Sequence, residues 1–173
     1  MDNITKVRDG FYVGTSFCGR DLNILKENNI TTVVNVGEDY EDTVFDGIKY
    51  HKFGMLNNGN DPFNNGKYEL ATMCIIEALN NKECVVLQCH EGKSRTIAVA
   101  TLVLTVQSLT AEDLASHNVA DILMQKLYKS YGYLCSIRPV AVEIESSHIS
   151  KIYRCLLGMV KKSTQHKEEV RTA

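Results

Sequence analysis

The sequence of 173 residues has no stretch of 18 consecutive apolar residues, which excludes a hydrophobic membrane-spanning helix. Its opening, Met1 to Gly14, has no apolar core of the kind a secretory leader needs, so a cytoplasmic location is the expectation. No Cys-x-x-Cys pair occurs among six cysteines, which leaves no zinc ribbon and no thioredoxin-type redox motif. Neither charge sign dominates. Nineteen basic residues stand against 21 acidic ones, for a net charge of −2. That balance excludes a nucleic-acid binder built on a broad basic face. Proline is scarce, with only Pro62 and Pro139. Pro62 falls in Leu56 to Tyr68, a stretch that also carries two Asn-Gly pairs, and every local signal there reads as a loop.

What is present is an ordinary globular composition, 44% hydrophobic and 23% charged. The pattern alternates between strands and helices. Strands are predicted over 10–16, 31–36, 48–55 and 84–88, and helices over 21–30, 68–81, 94–108, 110–132 (one helix or two) and 144–160. Thr110 and Asp113 form a capping-box pattern at the start of the fourth helical stretch. No repeat or internal linker interrupts the alternation. The expectation is one α/β domain over residues 1–160, with a central, mainly parallel sheet flanked by helices. Residues 161–173 are polar and read as a disordered tail.

One stretch carries the chemistry. In Val85 to Leu104, "VVLQCHEGKSRTIAVATLVL", a buried strand leads into Cys89 and a nearly all-apolar helix starts about five residues later. Ligands of open α/β sheets bind outside the carboxyl ends of the strands. The five residues between, His90, Glu91, Gly92, Lys93 and Ser94, hold a glycine at their centre. Successive backbone amides in such a turn make an anion nest, and the helix start adds free N–H groups and its positive dipole end. Arg95 lies in the first turn and offers a planar fork to a tetrahedral oxyanion. The same donors stabilise a thiolate, which makes Cys89 a nucleophile. The constellation suggests phosphoryl transfer through a cysteinyl-phosphate. Cys18, Cys74, Cys135 and Cys155 lack this context and read as small hydrophobes. Cys84 shares a strand with Cys89 but faces the other side by strand alternation. His51, His117, His148 and His166 show no metal-ligand spacing and read as surface residues.

"CHEGKSRT" resembles the C-x5-R-(S/T) loop of the protein tyrosine phosphatase superfamily, and the compact length resembles its dual-specificity subgroup. "DGFYVGTSFCGRDLNILKENNITTVVNV", "IKYHKFGML" and "IRPVAV" resemble that subgroup's opening, its strand before the acid loop and its late Arg-Pro segment. The resemblance implies Cys89 as nucleophile, Arg95 as phosphate clamp and Thr96 as the group that helps the thiol depart. It implies backbone amides from His90 through Ser94 around the phosphate, and no metal or organic cofactor. Glu91 would lie at the rim. Phosphorylated protein is the substrate expected, with phosphotyrosine and phosphoserine or phosphothreonine both accepted. Lys93 stands where phosphoinositide-directed relatives carry lysine, so a phosphoinositide or an RNA 5′-phosphate is the alternative. A weakly active pseudophosphatase that binds phosphorylated partners is a third reading.

Two positions depart from the family pattern. Gln88 precedes the nucleophile where the family has histidine. Asn57 and Asn58 stand where the family has its general-acid Asp, and an amide cannot donate that proton. Asp61 is the only carboxylate between Asp46 and Tyr68, and it reads equally as the acid or as a turn residue before Pro62.

Overall fold

The structure is a computed structural model that describes residues 3–38, 40–56, 64–139 and 146–172. Five strands form one sheet: β1 (Ile4–Arg8), β2 (Phe11–Thr15), β3 (Thr32–Gly37), β4 (Lys49–Met55) and β5 (Val85–Cys89), in the order β1-β2-β5-β3-β4. β2, β5, β3 and β4 run parallel, as the alternating pattern predicts, and β1 adds an antiparallel edge. β1 has no counterpart among the predicted strands. Its signal is the Asp9-Gly10 pair, with Gly10 at φ 74, a turn that joins two antiparallel strands tightly.

The helices are α1 (Leu22–Glu27), α2 (Asn64–Asn80), α3 (Ser94–Ser108), α4 (Ala111–Ala115), α5 (Val119–Ile137) and α6 (Ser146–Thr172). Asp21 starts α1 by accepting a hydrogen bond from the amide of Asn23 at 2.9 Å. α2 begins four residues before the predicted Tyr68, so the predicted loop is shorter than Leu56 to Tyr68. Thr110 and Asp113 form the expected capping box at α4, with reciprocal bonds of 3.1 and 2.7 Å. α5 passes through Gly132, where the pattern suggested an end, because its buried stripe, Leu123, Leu127 and Leu134, continues beyond it. α6 runs on through residues 161–172, the stretch expected to be a disordered tail. Lys and Glu, both good helix formers, recur there, and Lys162 pairs with Glu69 of α2 at 2.7 Å.

The sheet has a core on each face. On one, Val34, Leu87 and Cys89 pack with α2, α3, α5 and α6. On the other, Val33 and Val86 pack with Cys18 and with Leu25 of α1. α3 is the central rod. Ile97, Val99, Leu102 and Val103 are fully buried, each worth about 1.5–3 kcal/mol of burial. The loop before α3 is thereby fixed at both ends, by the central strand and by the most buried helix.

Candidate active site

Cys89 is the last residue of β5, the middle strand. Its Cα pairs in register with Thr15 of β2, and its neighbour Gln88 pairs with Asn35 of β3. The site thus lies at the carboxyl edge of the parallel strands. Residues 90–93 turn the chain from β5 into α3, and Ser16 donates its amide to the His90 carbonyl at 3.1 Å, tying the loop to the end of β2. Gly92 adopts φ 64, a left-handed conformation that costs other residues but not glycine. A Cβ there would lie 2.5 Å from the Gly14 carbonyl oxygen, so the position also excludes a side chain. The N-cap residue Lys93 makes no side-chain capping bond to α3, and the positive end of the helix faces the loop.

The sequence-predicted residues cluster here. Cys89 is 2% exposed and Arg95 5% exposed. Arg95 Nη1 donates to the Met55 carbonyl at 2.9 Å, so the last residue of β4 aims the guanidinium. Thr96 is fully buried, and its hydroxyl has no hydrogen-bond partner among the described residues. His90 and Glu91 are exposed at the rim. Lys93 reaches Glu91 at 3.6 Å, an ion pair whose carboxylate is 63% exposed and which contributes little to stability. Cys84 packs in the α1-side cluster and Cys89 in the other, on opposite faces as strand alternation requires. Asp61, Asn57 and Asn58 lie outside the described residues.

Gln88 points away from the cysteine, into the α1 face. Its Oε1 accepts from the Gly19 amide at 2.9 Å, and its Nε2 donates to Asp42 Oδ1 at 3.4 Å. Asn35 donates to the same Asp42 oxygen at 2.9 Å. Burial raises the Asp42 carboxyl above the ordinary value. Gln88 therefore serves as a neutral brace beneath the strand end.

Three further residues were not singled out as site residues in the sequence. Tyr40 carries the Arg20 guanidinium over its ring at 4.6 Å and meets the His90 ring at 6.2 Å. Burial, and then the nearby Cys89, push its phenol well above the ordinary tyrosine value. Tyr68 of α2 is pushed up to about 12 by burial, against the opposing charge of Arg95. Arg138, at the end of α5, is 3% exposed and donates from Nε to the Gly92 carbonyl at 3.0 Å. Only tertiary contact brings these three to the site; no local pattern marks Tyr40 or Tyr68, and the Arg138-Pro139 resemblance marks a segment without giving Arg138 a role.

No protein-family model matches the chain, and no curated protein matches its sequence. Solved structures do match. Human DUSP28 superimposes with a TM-score of 0.73 at 17% identity, over 92% of this chain and 96% of that one. OH1 from the Orf virus, described as a tyrosine phosphatase with triple substrate specificity, gives 0.68 at 14% identity, over 92% and 87%. The human tyrosine phosphatase-like serine/threonine/tyrosine-interacting protein gives 0.69 at 11% identity, over 98% of each chain. The chain has the fold of the compact dual-specificity phosphatases.

Proposed function

We propose that the protein is a cysteine-dependent phosphate monoester hydrolase, acting on phosphotyrosine and phosphoserine or phosphothreonine in proteins. The observation that carries this reading is the union of Cys89 at the end of the central strand, the Gly92 turn and Arg95 in the first turn of α3. The Cys89 thiolate attacks phosphorus, and the bond to the leaving oxygen breaks. The loop amides and the Arg95 fork hold the equatorial oxygens, where charge is concentrated in the transition state. Asp61 gives a proton to the leaving oxygen. Water then attacks the phosphocysteine and gives its proton to the Asp61 carboxylate, the sulfur–phosphorus bond breaks, and the Thr96 hydroxyl donates a hydrogen bond to the departing sulfur. Phosphate leaves and the thiolate is restored.

The experiment is turnover of an aryl phosphate and of phosphoserine by the wild type, Cys89→Ser and Asp61→Asn. Cys89→Ser should lose all turnover yet still bind phosphate, because the amides and Arg95 remain. Asp61→Asn should lose more on phosphoserine, whose poor leaving group needs the proton, and acid assistance is worth typically about 10²–10⁴-fold. Wild-type phosphate binding with no turnover of either substrate would support a binding protein for phosphorylated partners instead.

A further inference from the structure

We infer that Arg138 is a positioning residue of the phosphate cradle, holding the Gly92 peptide in the orientation that presents the next amide to the anion. The inference rests on the phosphatase reading of this loop. Arg138 is the residue directly after α5, and its own amide bonds back to the Leu134 carbonyl at 2.9 Å, which fixes its backbone. Its buried guanidinium then spans two elements. Nε donates to the Gly92 carbonyl at 3.0 Å, and Nη1 donates to Thr5 Oγ1 of β1 at 2.8 Å. The remaining nitrogen, Nη2, lies 2.7 Å from where a Gly92 Cβ would be.

The consequence follows from peptide geometry. In a planar trans peptide the carbonyl and the following N–H point in opposite directions. Drawing the Gly92 carbonyl toward Arg138 therefore turns the Lys93 N–H away from Arg138. Gly14 and Arg138 close off the outer side of Gly92, so the opposite side is the concave one that a nest needs. A turn at φ 64 leading into a helix start has other peptide orientations open to it, and a charged donor on the carbonyl selects one. The guanidinium also brings a fixed positive charge beneath the loop. Its field reaches at least to Cys18, where burial holds the thiol protonated and the Arg138 charge opposes that in part.

Arg138 thus acts on the anion through the loop rather than by touching it, and its removal should weaken oxyanion binding and thiolate stability together. The test uses the full chain with orthovanadate as the oxyanion probe and iodoacetamide alkylation of Cys89 followed against pH. Wild type is expected to bind vanadate, and failure there would sink the phosphatase reading itself. Arg138→Met is expected to bind vanadate at least about tenfold more weakly, and its alkylation profile should move to higher pH. Arg138→Lys should recover only part of the loss, because one ammonium cannot serve Gly92 and Thr5 together. Vanadate affinity and alkylation profile both unchanged in a folded Arg138→Met protein would overturn the inference. If that variant does not fold, Thr5→Val decides. It removes one anchor of the guanidinium and should shift both readouts in the same direction by a smaller factor. An unshifted Thr5→Val would then overturn it.

Discussion

Arg95 and Arg138 are two buried arginines with different partners, the Met55 carbonyl for one and the Gly92 carbonyl for the other. Arg95 is aimed by the Met55 carbonyl and, in the proposed mechanism, presents its fork to the transferring phosphoryl group. Arg138 holds the loop's own backbone. A lysine in place of Arg95 keeps the charge but loses the planar pair of donors. Arg95→Lys should therefore lose at least about a hundredfold in kcat/KM on an aryl phosphate, roughly 2.7 kcal/mol of transition-state stabilisation. Steady-state kinetics on the folded variant checks this, and a loss of only a few-fold would remove Arg95 from the assigned role. At this scale much was legible. Cys89, Gly92 and Arg95 stand out through spacing, because the proposed chemistry is packed into seven consecutive residues, and the structure brings those residues together at the end of β5. Tyr40 and Tyr68 do not, and the Arg138-Pro139 resemblance assigns Arg138 no role, because each reaches the site from a separate part of the chain.

Among the elements, α3 links stability to the site. Its first turn forms one wall of the proposed cradle, and the rest of it is the most buried helix among the described residues. The two jobs are separable along its length. Leu102 is fully buried about two turns beyond Arg95. Leu102→Ala should cost about 2–5 kcal/mol in urea unfolding, from lost burial and the cavity left behind. Activity per folded molecule should stay close to wild type, and a large drop in kcat with unchanged stability would contradict the separation. Most elements were legible from apolar period alone. The differences lie where period is silent. β1 is a short edge strand with one buried residue, Val7, so alternation gives little signal and only the Asp9-Gly10 turn betrays it. α2 starts among Asn and Gly residues that read locally as loop, and the helix face that follows overrides them. α5 crosses Gly132 for the same reason.

The whole molecule should be sensitive to alkali. Burial raises the Cys18 thiol from its ordinary 9.0 to about 12, Cys155 to about 11 and the Tyr68 phenol from 10.0 to about 12. Each group stays protonated in the folded chain at a pH where the unfolded chain already releases its proton. The unfolded state then binds fewer protons, so stability falls as pH rises. Their contribution is fully present below about pH 9 and is lost progressively between about 9 and 12. Urea midpoints measured across that range should decline, and Cys18→Ala should flatten the decline. A midpoint that rose or stayed level above pH 9 would contradict the burial of these groups.

The central claim is that phosphate passes through the sulfur of Cys89. The most direct test is rapid-quench mass spectrometry of the protein during turnover of an aryl phosphate, in the wild type and in Thr96→Ala. Loss of the Thr96 hydroxyl should slow departure of the thiol, so the intermediate accumulates. The account predicts one added phosphoryl group, mapped to the peptide containing Cys89 and more abundant in Thr96→Ala. Turnover that proceeds with Cys89 never phosphorylated in either protein would contradict it.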